Sequence, residues 1–353
     1  MSWGKDRIQL DNGLLADAQA PEIISASRST DIPAFYADWF FARLKKGYSA
    51  WTNPFNGVKS YVSYGRTRFI VFWSKNPEKL IPHLDYLKER DINCYIQFTL
   101  NDYDYERLEK GVPKVSERIE TFKKLVNKLG KGRVIWRFDP LLLTDTIDID
   151  LLLKKIERIA EQLVGYTEKL VFSFADILAY RKVKANLEAS HINYREWTIP
   201  EMEEFAAKLS ELNKKWGLTI ATCGEKIDLD KYHIEHNRCV DDDLMIRIAW
   251  QDDVLMKFLG VEIYEKQSFL FDDDAIPEDA IILDEGHYAV KKKNNKDKGQ
   301  RQFCGCIISK DIGEYNTCPH LCEYCYANSS KDTALRNYSR HRENPLGETI
   351  TGK

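Results

Sequence analysis

Val134–Pro140 reads VIWRFDP. The apolar start predicts a short buried strand over Val134–Phe138, and Arg137 and Asp139 make its far end polar. Upstream, Ser116 stands where a helix cap belongs; Ile119, Phe122, Val126 and Leu129 then share one helical face, and Gly130 follows. Downstream, Leu152, Ile156, Ile159 and Leu163 repeat that spacing. A strand set between two amphipathic helices is a βα unit. The same alternation extends both ways, with strands predicted at Glu22–Ser27, Ser49–Thr52, Phe69–Trp73, Cys94–Thr99, Leu170–Phe174 and Leu218–Thr222. Thr198 and Glu201 have capping-box spacing ahead of a stripe of Met202, Phe205, Leu209, Leu212 and Trp216, with Gly217 after it. The expected fold class is α/β, a full or partial (β/α) TIM-like barrel carrying a C-terminal cysteine-rich extension. An open doubly wound sheet is the rival topology, but no G-x-G-x-x-G follows the first strand and no G-x-x-x-x-G-K occurs.

Three regions follow: a barrel-like domain over 20–250, a connecting segment over 251–300 and a cysteine-rich C-terminal segment over 301–353 that folds back on the barrel. The connecting segment includes LFDDDAIPEDAIILDEGH, acidic and weakly periodic, and KKKNNKDK at Lys291–Lys298, read as a solvated linker. The chain has 353 residues, 43% of them apolar, enough for a large core. It has no run of about 18 uncharged apolar residues, and Met1–Ala20 carries Asp and Lys where a signal peptide is apolar, so the expected location is cytoplasmic, with no membrane partner. A net charge of −3 with mixed signs gives no general footprint for nucleic acid.

Eight cysteines in a reducing compartment point to metal rather than disulfides, and five of them fall between Cys304 and Cys325. Cys318, Cys322 and Cys325 form C-x3-C-x2-C. Three thiolates on a four-iron cluster leave one iron open to a small chelating molecule. Cys304 and Cys306, with Cys223 and Cys239, supply four more thiolates, the full set for a second, closed cluster; the alternative for Cys223 and Cys239 is core packing. Cys94, inside a predicted strand, reads as core.

C-x3-C-x2-C is similar to the signature of the radical S-adenosylmethionine superfamily, and Cys-Glu-Tyr-Cys-Tyr-Ala at Cys322–Ala327 resembles the form in spore photoproduct lyase. As a whole the chain resembles the bacterial and archaeal family catalogued as domain of unknown function 1848, through CGC, DIG, YNTC and YCYAN. The superfamily resemblance implies a 4Fe-4S cluster at the mouth of a (β/α) barrel and S-adenosyl-L-methionine on its open iron. It also implies a 5'-deoxyadenosyl radical that takes hydrogen from a substrate, and a reducing partner such as flavodoxin or ferredoxin. The superfamily's cysteine loop usually follows the first strand; here it comes after the barrel, so the tail has to return over the mouth.

If the barrel holds, residues leaving each strand face cofactor and substrate, and unpaired charge there is costly. Lys75, Arg137 and Asp139 are the candidate catalytic residues, the two cations suiting a cofactor carboxylate or an anionic substrate. Arg28, Ser74, Tyr324 and Tyr326 are candidates for holding the cofactor. Structural alternatives stand beside them: Asp31 capping a helix, Arg137 with Asp139 as an internal ion pair, and the two tyrosines packing the tail on the barrel. Two other functions compete: a structural zinc module on a barrel domain, with nucleic acid as a partner, and an iron-sulfur electron carrier.

Overall fold

A computed structural model describes residues 3–53, 56–266 and 276–352. Its main sheet has eight parallel strands: β1 (Ile23–Ala26), β2 (Phe69–Ser74), β3 (Asn93–Thr99), β4 (Val134–Leu141), β5 (Lys169–Phe174), β6 (Thr219–Thr222), β7 (Ile234–His236) and β8 (Lys310–Asp311). Their spatial order is β7-β6-β5-β4-β3-β2-β1-β8. From β1 to β7 each strand lies beside its predecessor, so there is no reversal of direction of the kind a doubly wound sheet has at its switch point.

Both faces of the sheet are covered, which is why its strands are apolar on both sides. Ile70, Phe72, Ile96, Phe98, Trp136, Phe138, Leu170 and Phe172 point to one face. There they meet α1 (Ala37–Lys46), α2 (Val115–Leu129), α3 (Ile149–Leu163) and other helices, including α4 (Arg181–Ala189) and α5 (Ile199–Asn213). Leu152, Ile156 and Ile159 of α3 are buried in this layer, each worth roughly 1.5–3 kcal/mol by leaving water. Ile23, Phe69, Val71, Tyr95, Ile135 and Val171 point to the other face and pack on α6 (Asp242–Ala249) and α7 (Asp253–Leu259).

The sheet does not close into a full barrel among the described residues. β7 and β8 are three and two residues long and do not pair. Instead the Ile307 N–H donates to the Val240 carbonyl at 3.0 Å. The segments that meet there carry Cys239, Cys304 and Cys306.

Four expectations need correction. Tyr48–Thr52 is a strand, but it belongs to a separate four-stranded sheet with Gly4–Gln9, Leu15–Ala20 and Lys59–Ser63, because it turns back antiparallel on the last of these. Ser116 does not cap α2: the helix begins one residue earlier, and the Val115 N–H is taken by the Asp104 side chain at 3.0 Å. Residues 251–300 hold α7 and an antiparallel sheet of Val261–Glu265, Ile281–Ile282 and His287–Lys291, while Leu270–Ala275 lie outside the described residues. The basic run is anchored rather than solvated throughout: Lys291 pairs with Asp243 at 2.6 Å, and the buried Asn295 donates to the Leu259 carbonyl at 2.6 Å. No helix among the described residues is long and apolar enough to cross a membrane.

The capping box of α5 is formed, Thr198 N–H to Glu201 at 3.0 Å and Glu201 N–H to the Thr198 hydroxyl at 3.4 Å. Thr198→Ala is expected to lower stability by about 1 kcal/mol in urea unfolding, and no change would place the helix's stability in its packing alone.

Lys310 on β8 sets its ammonium 3.7 Å from the centre of the Trp51 ring, and burial lowers its pKa to about 8. Below pH 8 the folded chain holds this cation at a cost; from pH 8 to the ordinary 10.5 the folded form sheds the proton first, so stability rises with pH. At about 1.4 kcal/mol per pH unit, the rise is capped at about 3 kcal/mol. Lys310→Met is expected to remove it, so that the stability difference between variant and wild type shrinks from pH 7 to pH 10.5. A difference constant with pH would contradict a strained ammonium.

Candidate metal centres

Beyond β8 the chain returns across the C-terminal ends of the strands. Asp311 accepts from the backbone N–H of Arg28 at 2.8 Å and of Gly313 at 2.9 Å, which ties the start of the tail to the end of β1. Gly313 has no room for a side chain, since a Cβ there would lie 1.9 Å from the Ser27 hydroxyl. Further on, His320 is clamped at both ring nitrogens, Nε2 to Asp31 at 2.8 Å and Nδ1 to the Gly111 carbonyl at 3.0 Å. Asp31 does cap the helical turn after it, accepting from the Ala34 N–H at 2.9 Å, and also takes the Ser74 hydroxyl at 2.7 Å and the Lys75 N–H at 2.7 Å. One buried carboxylate thus joins β1, β2 and the cysteine loop.

Cys322 sits in a backbone bridge with Glu109, and the Glu323 N–H donates to the Leu108 carbonyl at 2.9 Å. Beneath the loop, Lys75 donates to Glu109 at 2.6 Å and to the Tyr324 hydroxyl at 2.9 Å. Tyr324 also bonds Glu109, and Asn101 donates to both, at 3.0 and 3.1 Å. Cys318, Cys322 and Cys325 are free thiols that interact electrostatically with one another. Burial raises all three above the ordinary thiol range, while Lys75 pulls Cys322 and Cys325 the other way. This donor set suits a thiophilic metal: the thiolates are costly until a cation takes the place of their protons.

The other four cysteines, from three separate stretches of chain, also meet. Cys223 Sγ lies 3.3 Å from Cys239 Sγ; Cys239 and Cys304 each make a side-chain hydrogen bond with Cys306. Hydrogen bonding from Cys306 lowers Cys304 to about 7. Arg137 donates to Cys239 Sγ at 3.0 Å and to Gln97 at 3.2 Å, and its other nitrogen pairs with Asp139. Ser173 donates to Asp139, whose N–H in turn donates to Asn101 Oδ1 at 2.8 Å. Burial opposes ionisation of Asp139, but Arg137 outweighs it and holds the carboxyl below its usual range. A hydrogen-bonded chain therefore runs from Cys239 through Arg137, Asp139 and Asn101 to Tyr324, linking the two cysteine sets.

A family model described as a domain of unknown function (DUF1848) matches residues 23–327. The chain belongs to the DUF1848 family. The matched span starts at β1 and ends just past Cys325, so it takes in the main sheet and every cysteine. No curated protein matches the chain.

In this DUF1848 chain a cleft of about 550 Å³ opens beside Cys325, lined by Tyr180, Arg181, Lys182, Tyr315, Asn316 and Tyr326. Its size is that of a small-molecule site, roughly 300–1,000 Å³. Lys182 lies over the Tyr315 ring at 5.2 Å, Arg301 donates to the Tyr180 hydroxyl at 3.1 Å, and Tyr326 donates to the Arg28 carbonyl. Of the residues singled out in the sequence, Tyr326 borders this cleft. Tyr324, buried and bonded to Glu109, docks the tail, and Ser74 supports Asp31. Arg28 faces the second cysteine set: burial works against its charge, and Cys306 and Asp311 outweigh that. Cys94 is a core residue whose thiol burial raises to about 12. Sequence reasoning missed Glu109, Asn101 and His320. His320 stands inside the cysteine motif and was available as a signal; Glu109 and Asn101 reach the loop only through the fold.

Proposed function

We propose that this protein is a radical S-adenosylmethionine enzyme, built on a partial β/α barrel whose open side lies between β7 and β8. The observation that carries the reading is that the C-x3-C-x2-C loop is tied down over the C-terminal ends of parallel strands, where barrel enzymes keep their active sites. Cys318, Cys322 and Cys325 would hold a 4Fe-4S cluster. The chemistry such a cluster would supply, once reduced and with S-adenosylmethionine bound, is one electron to cleave the sulfonium into methionine and a 5'-deoxyadenosyl radical.

The chain's own residues do the rest. Asp31 and His320 fix the loop, and Lys75 places positive charge beside Cys322, favouring the thiolate. The cleft at Tyr180, Lys182, Tyr315 and Tyr326 offers aromatic faces and a cation to an adenosine moiety or to an anionic substrate. Arg137 and Asp139 form an ion pair between the cysteine sets, one hydrogen-bonded to Cys239 and the other to Asn101. The electron would come from a low-potential one-electron donor such as flavodoxin or ferredoxin.

The test is anaerobic reconstitution with iron and sulfide, followed by reduction with dithionite in the presence of S-adenosylmethionine. A brown protein that forms 5'-deoxyadenosine is expected. Bound zinc with neither iron nor product would overturn the assignment in favour of a structural metal module.

A further inference from the structure

The geometry points to a second metal centre: we propose that Cys223, Cys239, Cys304 and Cys306 bind a closed, four-thiolate 4Fe-4S cluster in the gap between β7 and β8. Two observations carry it, and neither depends on S-adenosylmethionine. First, the ligands come from distant stretches, the end of β6, the turn after β7 and the approach to β8, yet their sulfurs meet. A core that needed only small apolar residues there would have no reason to gather four thiols.

Second, two guanidinium groups face these sulfurs. Arg137 donates to Cys239. Arg28 lies over the Trp73 ring at 5.3 Å, with its Nη2 shut off from solvent and lacking a hydrogen-bond partner among the described residues. Asp311 meets the charge of Arg28, but a shielded donor with nothing to bond is costly, and protonated thiols provide no strong acceptor for it. Thiolates and sulfides on iron do, and hydrogen bonds and charge around such sulfurs also tune the cluster's potential.

Zinc is the competing occupant. Tetrahedral thiolates at a zinc–sulfur distance of about 2.3 Å lie about 3.8 Å from one another. Among the described residues, the only three ligating groups mutually within 4.8 Å are Asp241, Asp242 and Asp243, which already pair with Arg238 and Lys291. The four sulfurs instead string from Cys223 through Cys239 and Cys306 to Cys304, so that neighbours in the string are in contact and a cluster would have to part Cys223 from Cys239. With four protein ligands, the proposed cluster has no open iron.

The experiment compares iron, sulfide and zinc in anaerobically reconstituted wild type, Cys304→Ala/Cys306→Ala and Cys322→Ala. About eight irons per chain are expected in wild type and about four in each variant. The first variant should keep an EPR signal that responds to S-adenosylmethionine, and the second should keep one that does not. About four irons in wild type, undiminished in Cys304→Ala/Cys306→Ala, would overturn the second centre, as would zinc lost only from that variant. A wild type with eight irons and no response to S-adenosylmethionine would sink the enzyme assignment while leaving the second centre standing. Should the double variant fail to fold by circular dichroism, Cys304→Ser at its partly exposed position takes its place. An altered spectrum from the unresponsive cluster alone supports the site, and an unchanged spectrum overturns it.

Discussion

Glu109→Ala is expected to destabilise the protein by about 3–5 kcal/mol, the range seen when one partner of a buried ion pair is removed. Glu109 is 5% exposed and receives Lys75 at 2.6 Å and Asn101 at 3.1 Å, with Arg118 3.7 Å away and fully buried. Removing it leaves two buried cations without their shared counter-charge, with only the Tyr324 hydroxyl and backbone carbonyls left to accept from them among the described residues. Burial alone would favour the neutral acid; Lys75 and Arg118 outweigh it and lower the carboxyl to about 2. A depressed carboxyl gives stability that is fully present above the ordinary 4.5 and is lost as pH falls from there toward 2. Glu109→Ala should therefore flatten the acid limb of the stability profile as well as lower its plateau. Urea unfolding between pH 3 and 7 measures both. A loss below about 1 kcal/mol would mean that Lys75 and Arg118 find other acceptors. Because Glu109 also bridges Cys322, the variant should load less iron even where it remains folded.

Cys322→Ala is expected to bring 5'-deoxyadenosine formation down to the level of the no-protein control. Cys322 is the middle cysteine of the loop, buried and in electrostatic contact with Cys318, Cys325 and Lys75. Alanine there leaves two thiolates for a cluster that needs three. The backbone on both sides stays anchored by His320 and by the Glu323 N–H, so a folded variant without product identifies loss of the ligand as the cause. Product formation near the wild-type rate would remove the loop from the chemistry.

The strands legible in the sequence were those long enough to show an apolar run. Phe69–Ser74, Asn93–Thr99, Val134–Leu141 and Lys169–Phe174 were found within a few residues because both their faces are buried. Ile234–His236 and Lys310–Asp311 were missed: at two or three residues, hydrophobic periodicity has nothing to repeat. Ser49–Thr52 has the composition of a strand, but which sheet a strand joins depends on its partners, and its partner Lys59–Ser63 reads as mostly polar. The cysteines were visible because their spacing is a local property. Docking of the loop by Asp31, Glu109 and Asn101 was not, since those residues lie some 200 to 300 positions away and carry no motif of their own. The roles of Tyr324 and Tyr326 divide for the same reason: they are two apart, and one turns down onto Glu109 while the other turns out to the cleft.

The central claim is that the C-x3-C-x2-C loop holds a cluster with an iron open to S-adenosylmethionine. The most direct test is the EPR spectrum of dithionite-reduced Cys304→Ala/Cys306→Ala, recorded with and without S-adenosylmethionine, so that only the cluster of Cys318, Cys322 and Cys325 contributes. A reduced-cluster signal that changes when S-adenosylmethionine is added is predicted; a signal identical in both samples would contradict an open iron at this site.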